Sequence, residues 1–180
     1  MVKELLVGKE FTSDMLEAGG ALLRFLDGPR NEGPSPELHP EELLPGMVPA
    51  KVTRRDMPLA RINAALWLFL TDTNVWQYIV GSPEIGTRGP SAFYARLKNL
   101  LPIFAERSGW AFPLSHISAL PDTADTFRLF YGAVEIGGGG GVRFTNSTIN
   151  GVLVEDAYIY RMMRKVDRTI TSTGHIAKPK

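Results

Sequence analysis

Six of the thirteen prolines fall between residues 27 and 50, at positions 29, 34, 36, 40, 45 and 49. Proline fixes φ and removes a backbone donor, so this stretch cannot sustain a helix or a central strand. It reads as a long loop or arm, with room for one short helix over Pro40–Leu44. A structureless segment of this length is unusual inside a compact domain. The chain is therefore expected to be one domain over 1–180, with 27–50 as an arm and 169–180 as a mobile basic tail.

A chain of 180 residues, 44% of them hydrophobic, has the means to build a core around that arm. A body of this size buries roughly 70% of the surface that its unfolded chain exposes. The longest apolar run is Ala64 to Leu70, far short of the ~20 residues that cross a bilayer. No apolar block follows a basic N-terminus, so an intracellular or cytoplasmic location is expected, without a membrane partner. With no cysteine, the sequence has no disulfide, thiol catalyst or Cys-type metal site.

Helical signals dominate the middle of the chain. Met15, Leu22, Leu23 and Leu26 share a face over 13–26, and Asp14 with Glu17 resembles a capping box. Gly19 and Gly20 weaken this helix unless another backbone packs closely there. A second helix is expected over 58–70, because Ala64–Leu70 is apolar all round, and a third short one over 74–80. Residues 81–90 are rich in Gly and Pro and read as loop. Phe93, Leu97, Leu100, Leu101 and Phe104 mark a helix over 91–107, split or kinked by Pro102 and stopped by Ser108-Gly109.

A further helix is expected over 122–132. After Gly137–Gly141, residues 142–149 and 152–160 read as a hairpin around Asn150-Gly151, although residues 152–166 also fit a helical face. The expected fold class is mainly α: a helical bundle-like domain with a short C-terminal β-hairpin and extended arms. The expected core is Leu22, Leu26, Ile62, Leu66, Phe69, Leu70, Leu97, Leu101, Phe104, Phe127 and Phe130.

Few motifs point to chemistry. The glycine run lacks the Lys-Ser/Thr that closes a phosphate loop, and strand-like residues follow it, so it reads as a connector. His39, His116 and His175 lie too far apart in sequence for a local zinc pair. Asp122 and Asp125 suit a helix cap and first turn better than a metal site. Asn146-Ser147-Thr148 matches a glycosylation acceptor without a secretion signal beside it. No cofactor or metal is expected.

Charge is more informative. Residues 1–50 hold four basic and nine acidic residues, whereas 51–180 hold sixteen basic and ten acidic. Arg54 and Arg55 follow the proline arm. Arg161, Arg164, Lys165 and Arg168 would form one stripe on a helix, with Arg88, Arg96 and Lys98 as additions. Such groups pair with phosphates, and Tyr158 and Tyr160 stand near enough in sequence to stack on bases. The same residues also fit an ordinary solvated face. The expected function is a non-enzymatic, self-assembling structural protein, a homo-oligomer that packages or coats nucleic acid. Its phosphate contacts are Arg54, Arg55, Arg161, Arg164, Lys165 and Arg168. The alternative is a small-molecule-binding domain or enzyme near His116, lined by Trp67, Trp76, Trp110 and Phe112.

Overall fold

A computed structural model describes residues 2–28, 61–134, 136 and 140–163. Among these, four α-helices and seven strands form a mixed fold, not the mainly helical one expected. The first strand, β1 (Lys3–Glu4), precedes helix α1 (Ser13–Asp27). Strands β2 (Ala64–Leu70) and β3 (Val75–Ser82) form an antiparallel pair. Helices α2 (Pro83–Arg88) and α3 (Pro90–Ser108) follow, then β4 (Trp110–Ala111) and β5 (Ile117–Pro121). Helix α4 (Asp125–Phe130) leads to strands β6 (Val142–Ile149) and β7 (Val152–Met162).

The main sheet has the order β5-β3-β2-β7-β6, in which only β3 and β5 run parallel. A two-stranded parallel sheet joins β1 to β4. Leu5 N–H extends that pairing to Ala111 O at 3.0 Å.

The largest correction concerns residues 64–80. Both expected helices are strands, β2 and β3. A run that is apolar on every side suits a strand buried on both faces as well as a buried helix. Seven residues are short for a helix, and β3 is rich in aromatic and β-branched residues. Residues 71–74 turn the chain between them, with Asn74 at φ 54°. β2 then sends Ala65 and Trp67 to one apolar layer and Ala64 and Leu66 to the other.

The first layer lies under α1 and α3 and holds Met15, Leu22, Leu26, Trp67, Tyr78, Leu97 and Phe104. The second gathers Leu66, Ile79, Phe127, Phe130, Ala157 and Ile159 against α4. Of the expected core, Phe69, Leu70 and Leu101 are only half-buried; the other eight are buried.

Smaller corrections follow local chemistry. Thr12, not Asp14, caps α1 by accepting from Met15 N–H at 3.2 Å. Residues 81–90 contain the end of β3 and all of α2, capped by Ser82 and opened by Pro83 at its first turn. α3 runs through Pro102 as one helix, held by Phe93 and Leu97 before the proline and Phe104 after it. It stops at Gly109 in the left-handed conformation, as expected. α4 is shorter than expected and starts at Asp125, so Asp122 is not its cap. The hairpin is present, with Asn150 and Gly151 both at positive φ.

Gly19 has a different role from the one read in the sequence. Aromatic side chains, not a second backbone, crowd it: a Cβ there would stand 2.5 Å from the Tyr160 hydroxyl and 2.6 Å from Trp67 Nε1. Both groups donate to α1 carbonyls. Trp67 Nε1 bonds Met15 O at 2.9 Å, Tyr160 bonds Leu16 O at 2.7 Å, and Tyr78 bonds Gly19 O at 2.7 Å. These bonds fasten α1 to β2, β3 and β7.

Candidate functional site

Buried polar residues gather at one end of the main sheet, where β3 and β5 terminate. Asn63, Ser82, Asp122 and Arg161 are the buried polar or charged residues among those described. Asn63 precedes β2 and bonds Gly81 O through its N–H at 2.9 Å. Its amide donates to Asp122 Oδ2 at 2.8 Å. Asp122 stands directly after β5, where Tyr131 O–H donates to its backbone carbonyl at 2.7 Å.

Arg161 reaches this end because β7 shifts register between the partners of Ala65 and Leu66. Arg161 faces Ala65 and Ile159 faces Leu66, so Tyr160 is the extra residue and turns to α1. The Arg161 guanidinium then donates to Ile62 O at 3.1 Å and pairs with Asp27 at 3.0 Å. Both side chains of this pair are about nine-tenths buried. Asn63 Oδ1 and Arg161 Nε are buried without a hydrogen-bond partner.

The C-terminal end of α1, residues 61–63 before β2 and the end of β7 meet here, where Met163 N–H bonds Asn63 O at 2.9 Å. The Asp27–Arg161 pair and the Met163–Asn63 bond therefore tie these three segments together. Arg61 is exposed at this end.

Of the residues expected to contact phosphate, Arg54, Arg55, Arg164, Lys165 and Arg168 lie outside the described residues. Arg161 lies on a strand and is buried against Asp27, so it does not begin a solvent-facing helical stripe. Arg96 and Lys98 are exposed on α3, and Arg88 stands 3.9 Å from Glu84. Tyr158 stacks on Phe11 and Tyr160 is bonded to α1. Burial pushes the Tyr160 hydroxyl far above its ordinary value, with Tyr78 and Tyr158 adding to the shift. Burial does the same to Tyr78, partly opposed by the nearby positive charges of Arg161 and Arg24.

The aromatic residues near His116 are packed together. Trp67 stacks on Phe112 at 5.4 Å, and Trp76 Nε1 donates to Lys9 O at 3.0 Å. His116 Nδ1 lies 3.0 Å from Trp76 O and so secures a strand. His39 and His175 lie outside the described residues, as do Gly137–Gly139. No group of three metal-ligating side chains occurs among the described residues. No helix among them is long and apolar enough to cross a membrane.

Chemically, the cluster matches each carboxylate with a donor: Asp27 with a guanidinium and Asp122 with an amide. The Ser82 hydroxyl accepts from Glu84 N–H as a helix cap. These bonds fix the positions of chain segments and assemble no nucleophile–base pair. Spacing could not reveal the cluster, because residues 27, 63, 122 and 161 meet only through the sheet topology. Comparison with known proteins returned no match: no family model fits the chain, and no curated protein or solved structure matches it.

Proposed function

We propose that the protein is a non-enzymatic assembly protein whose basic segments, leaving one end of the sheet, bind nucleic acid. The observation that supports this reading is the buried tie between Asp27, Arg161, Ile62, Asn63 and Met163. It holds the roots of two basic sequences side by side. Lys51, Arg54, Arg55 and Arg61 precede β2 with Asp56 as their only acid. Arg164, Lys165, Arg168, Lys178 and Lys180 follow β7 with Asp167 alone against them. Sequences rich in cations attract a polyanion and release its counterions.

In this reading Arg161 anchors the segments, and the phosphate contacts are Arg54, Arg55, Arg164, Lys165 and Arg168. The location implied is intracellular, where nucleic acid is the abundant polyanion. The test is fluorescence anisotropy with a labelled oligonucleotide across a salt series, comparing the full chain with a variant carrying Arg54→Glu, Arg55→Glu, Arg164→Glu and Arg168→Glu. The salt slope should fall by about one unit for each phosphate contact removed. An unchanged affinity and slope would overturn the proposal.

A further inference from the structure

The two edges of the main sheet are finished differently. At β5, the Tyr94 hydroxyl donates to Ile117 O at 3.1 Å and accepts from Ala119 N–H at 2.9 Å. Two backbone groups of that strand are thereby satisfied within the chain. β6 forms the opposite edge and pairs only with β7 among the described strands. Protected edges carry lysines, prolines or inward charges. β6 has neither Lys nor Pro, and its one charge, Arg143, is held by Asp156 through two bonds of 3.0 and 2.7 Å. Val142, Val152 and Leu153 of this hairpin are exposed.

The shape of β6 selects a partner. Two copies of one strand pair antiparallel about a twofold axis normal to the sheet, and residues that face each other share a face. In a regular strand the faces alternate, so residues an odd number of positions apart cannot face each other across that axis. β6 is not regular. Val142 and Phe144 stand opposite Ile159 and Ala157, while Ser147 and Ile149 stand opposite Val154 and Val152. Ile149, Val154, Ala157 and Ile159 all belong to the apolar layer under α4, and Phe144 packs against it. The strand therefore changes parity at Asn146, whose φ is 46°.

That change allows a self-complementary register that a regular strand forbids. With Val142 of one copy facing Ile149 of the other, Phe144 faces Ser147 and Arg143 faces Thr148. Each pair then shares a face, apolar meets apolar at both ends, and no like charges oppose each other. On the α4 side, an open groove of about 440 Å³ runs beside this edge between Tyr131–Ala133 and Phe144–Asn150. Val142 of the second copy, 39% exposed in the single chain, would arrive beside Ile149 at that groove.

We propose that β6 pairs with β6 of a second copy in this register, joining two five-stranded sheets into one across a twofold axis. This deepens the assembly part of the proposed function by naming the partner and the edge, and it needs no nucleic acid. The test is light scattering after size exclusion on the full chain, in high salt, over a concentration series. Thr148 is exposed, so charges are tolerated there in the single chain. Thr148→Lys sets a cation against Arg143 of the partner subunit; Thr148→Glu sets an anion there.

The expected masses are twice the chain mass for wild type and Thr148→Glu, and the chain mass for Thr148→Lys, with equal circular dichroism for all three. A wild type at the chain mass throughout, or an undiminished Thr148→Lys dimer, would overturn the pairing. Oligonucleotide binding separates the two ideas. The glutamate variant of the basic segments should lose binding yet remain dimeric, and Thr148→Lys should bind as a monomer.

Discussion

Replacing Arg161 by Met removes the cation from a buried pair and leaves the Asp27 carboxylate in place without it. The two groups are 3.0 Å apart, with side chains 8% and 10% exposed, so water replaces little of the lost interaction. Breaking such a pair from one side costs about 3–5 kcal/mol. The Arg161 bond to Ile62 O disappears too, at roughly 1–3 kcal/mol if that carbonyl stays buried. Part of this is offset, because Arg161 Nε already lacks a partner and its burial is relieved.

A net loss of about 3–5 kcal/mol should lower the melting temperature by about 6–20 °C for a chain of this length. Urea titration followed by circular dichroism measures the loss. The double replacement Arg161→Met with Asp27→Leu is the decisive arm. With both charges gone, no uncompensated charge remains, and stability should return close to wild type or exceed it. If Arg161→Met costs under about 1 kcal/mol, or if the double variant is as weak as the two single losses added together, the pair is not the tie described.

Two further outcomes follow from α1 and its aromatic ties. Gly19→Ala gains about 1 kcal/mol in helix propensity but forces a methyl against Tyr160 and Trp67; a net loss of about 1–3 kcal/mol is expected in urea denaturation. Equal or greater stability would show that these contacts yield. Tyr78 and Tyr160 both ionise far above their usual value near 10.0 because the folded state buries them. Their folded pKa values exceed their unfolded ones, so their contribution to stability is complete below that value and is lost as pH rises above it. Stability should fall with a slope approaching about 2.7 kcal/mol per pH unit from these two groups. Tyr78 and Tyr160 should resist ionisation in an ultraviolet titration until the protein unfolds. Ionisation of these two near 10 in folded protein would contradict the buried bonds.

Legibility in the sequence followed the range of the interactions. Helices α1 and α3 were readable because apolar residues repeat at helical spacing along one contiguous stretch, and Gly109 ends α3 by a local backbone preference. The β6–β7 hairpin was readable because Asn150-Gly151 suits a turn with both residues at positive φ. β2 was not, since its edges pair with β3 and β7 and its two faces are covered by α1 and α3 on one side and α4 on the other, helices distant from it in sequence. A continuous apolar run carries no period with which to choose strand over helix.

The polar cluster was less legible still. Asp27 fell at the start of the expected arm, Asp122 read as a cap, and Arg161 as one member of a basic stripe. Only the register shift in β7 turns Tyr160 to α1 and Arg161 to Asp27. Asn63 gave no signal in the sequence, yet its amide joins β2 to the end of β5.

The most direct test of nucleic-acid-dependent assembly is the mass of the full chain with an oligonucleotide, measured by light scattering with an ultraviolet ratio that detects nucleic acid, in low and high salt. A larger, nucleic-acid-bearing species is expected in low salt, resolving in high salt to a nucleic-acid-free dimer. The same mass and the same protein-only absorbance at both salt concentrations would contradict it.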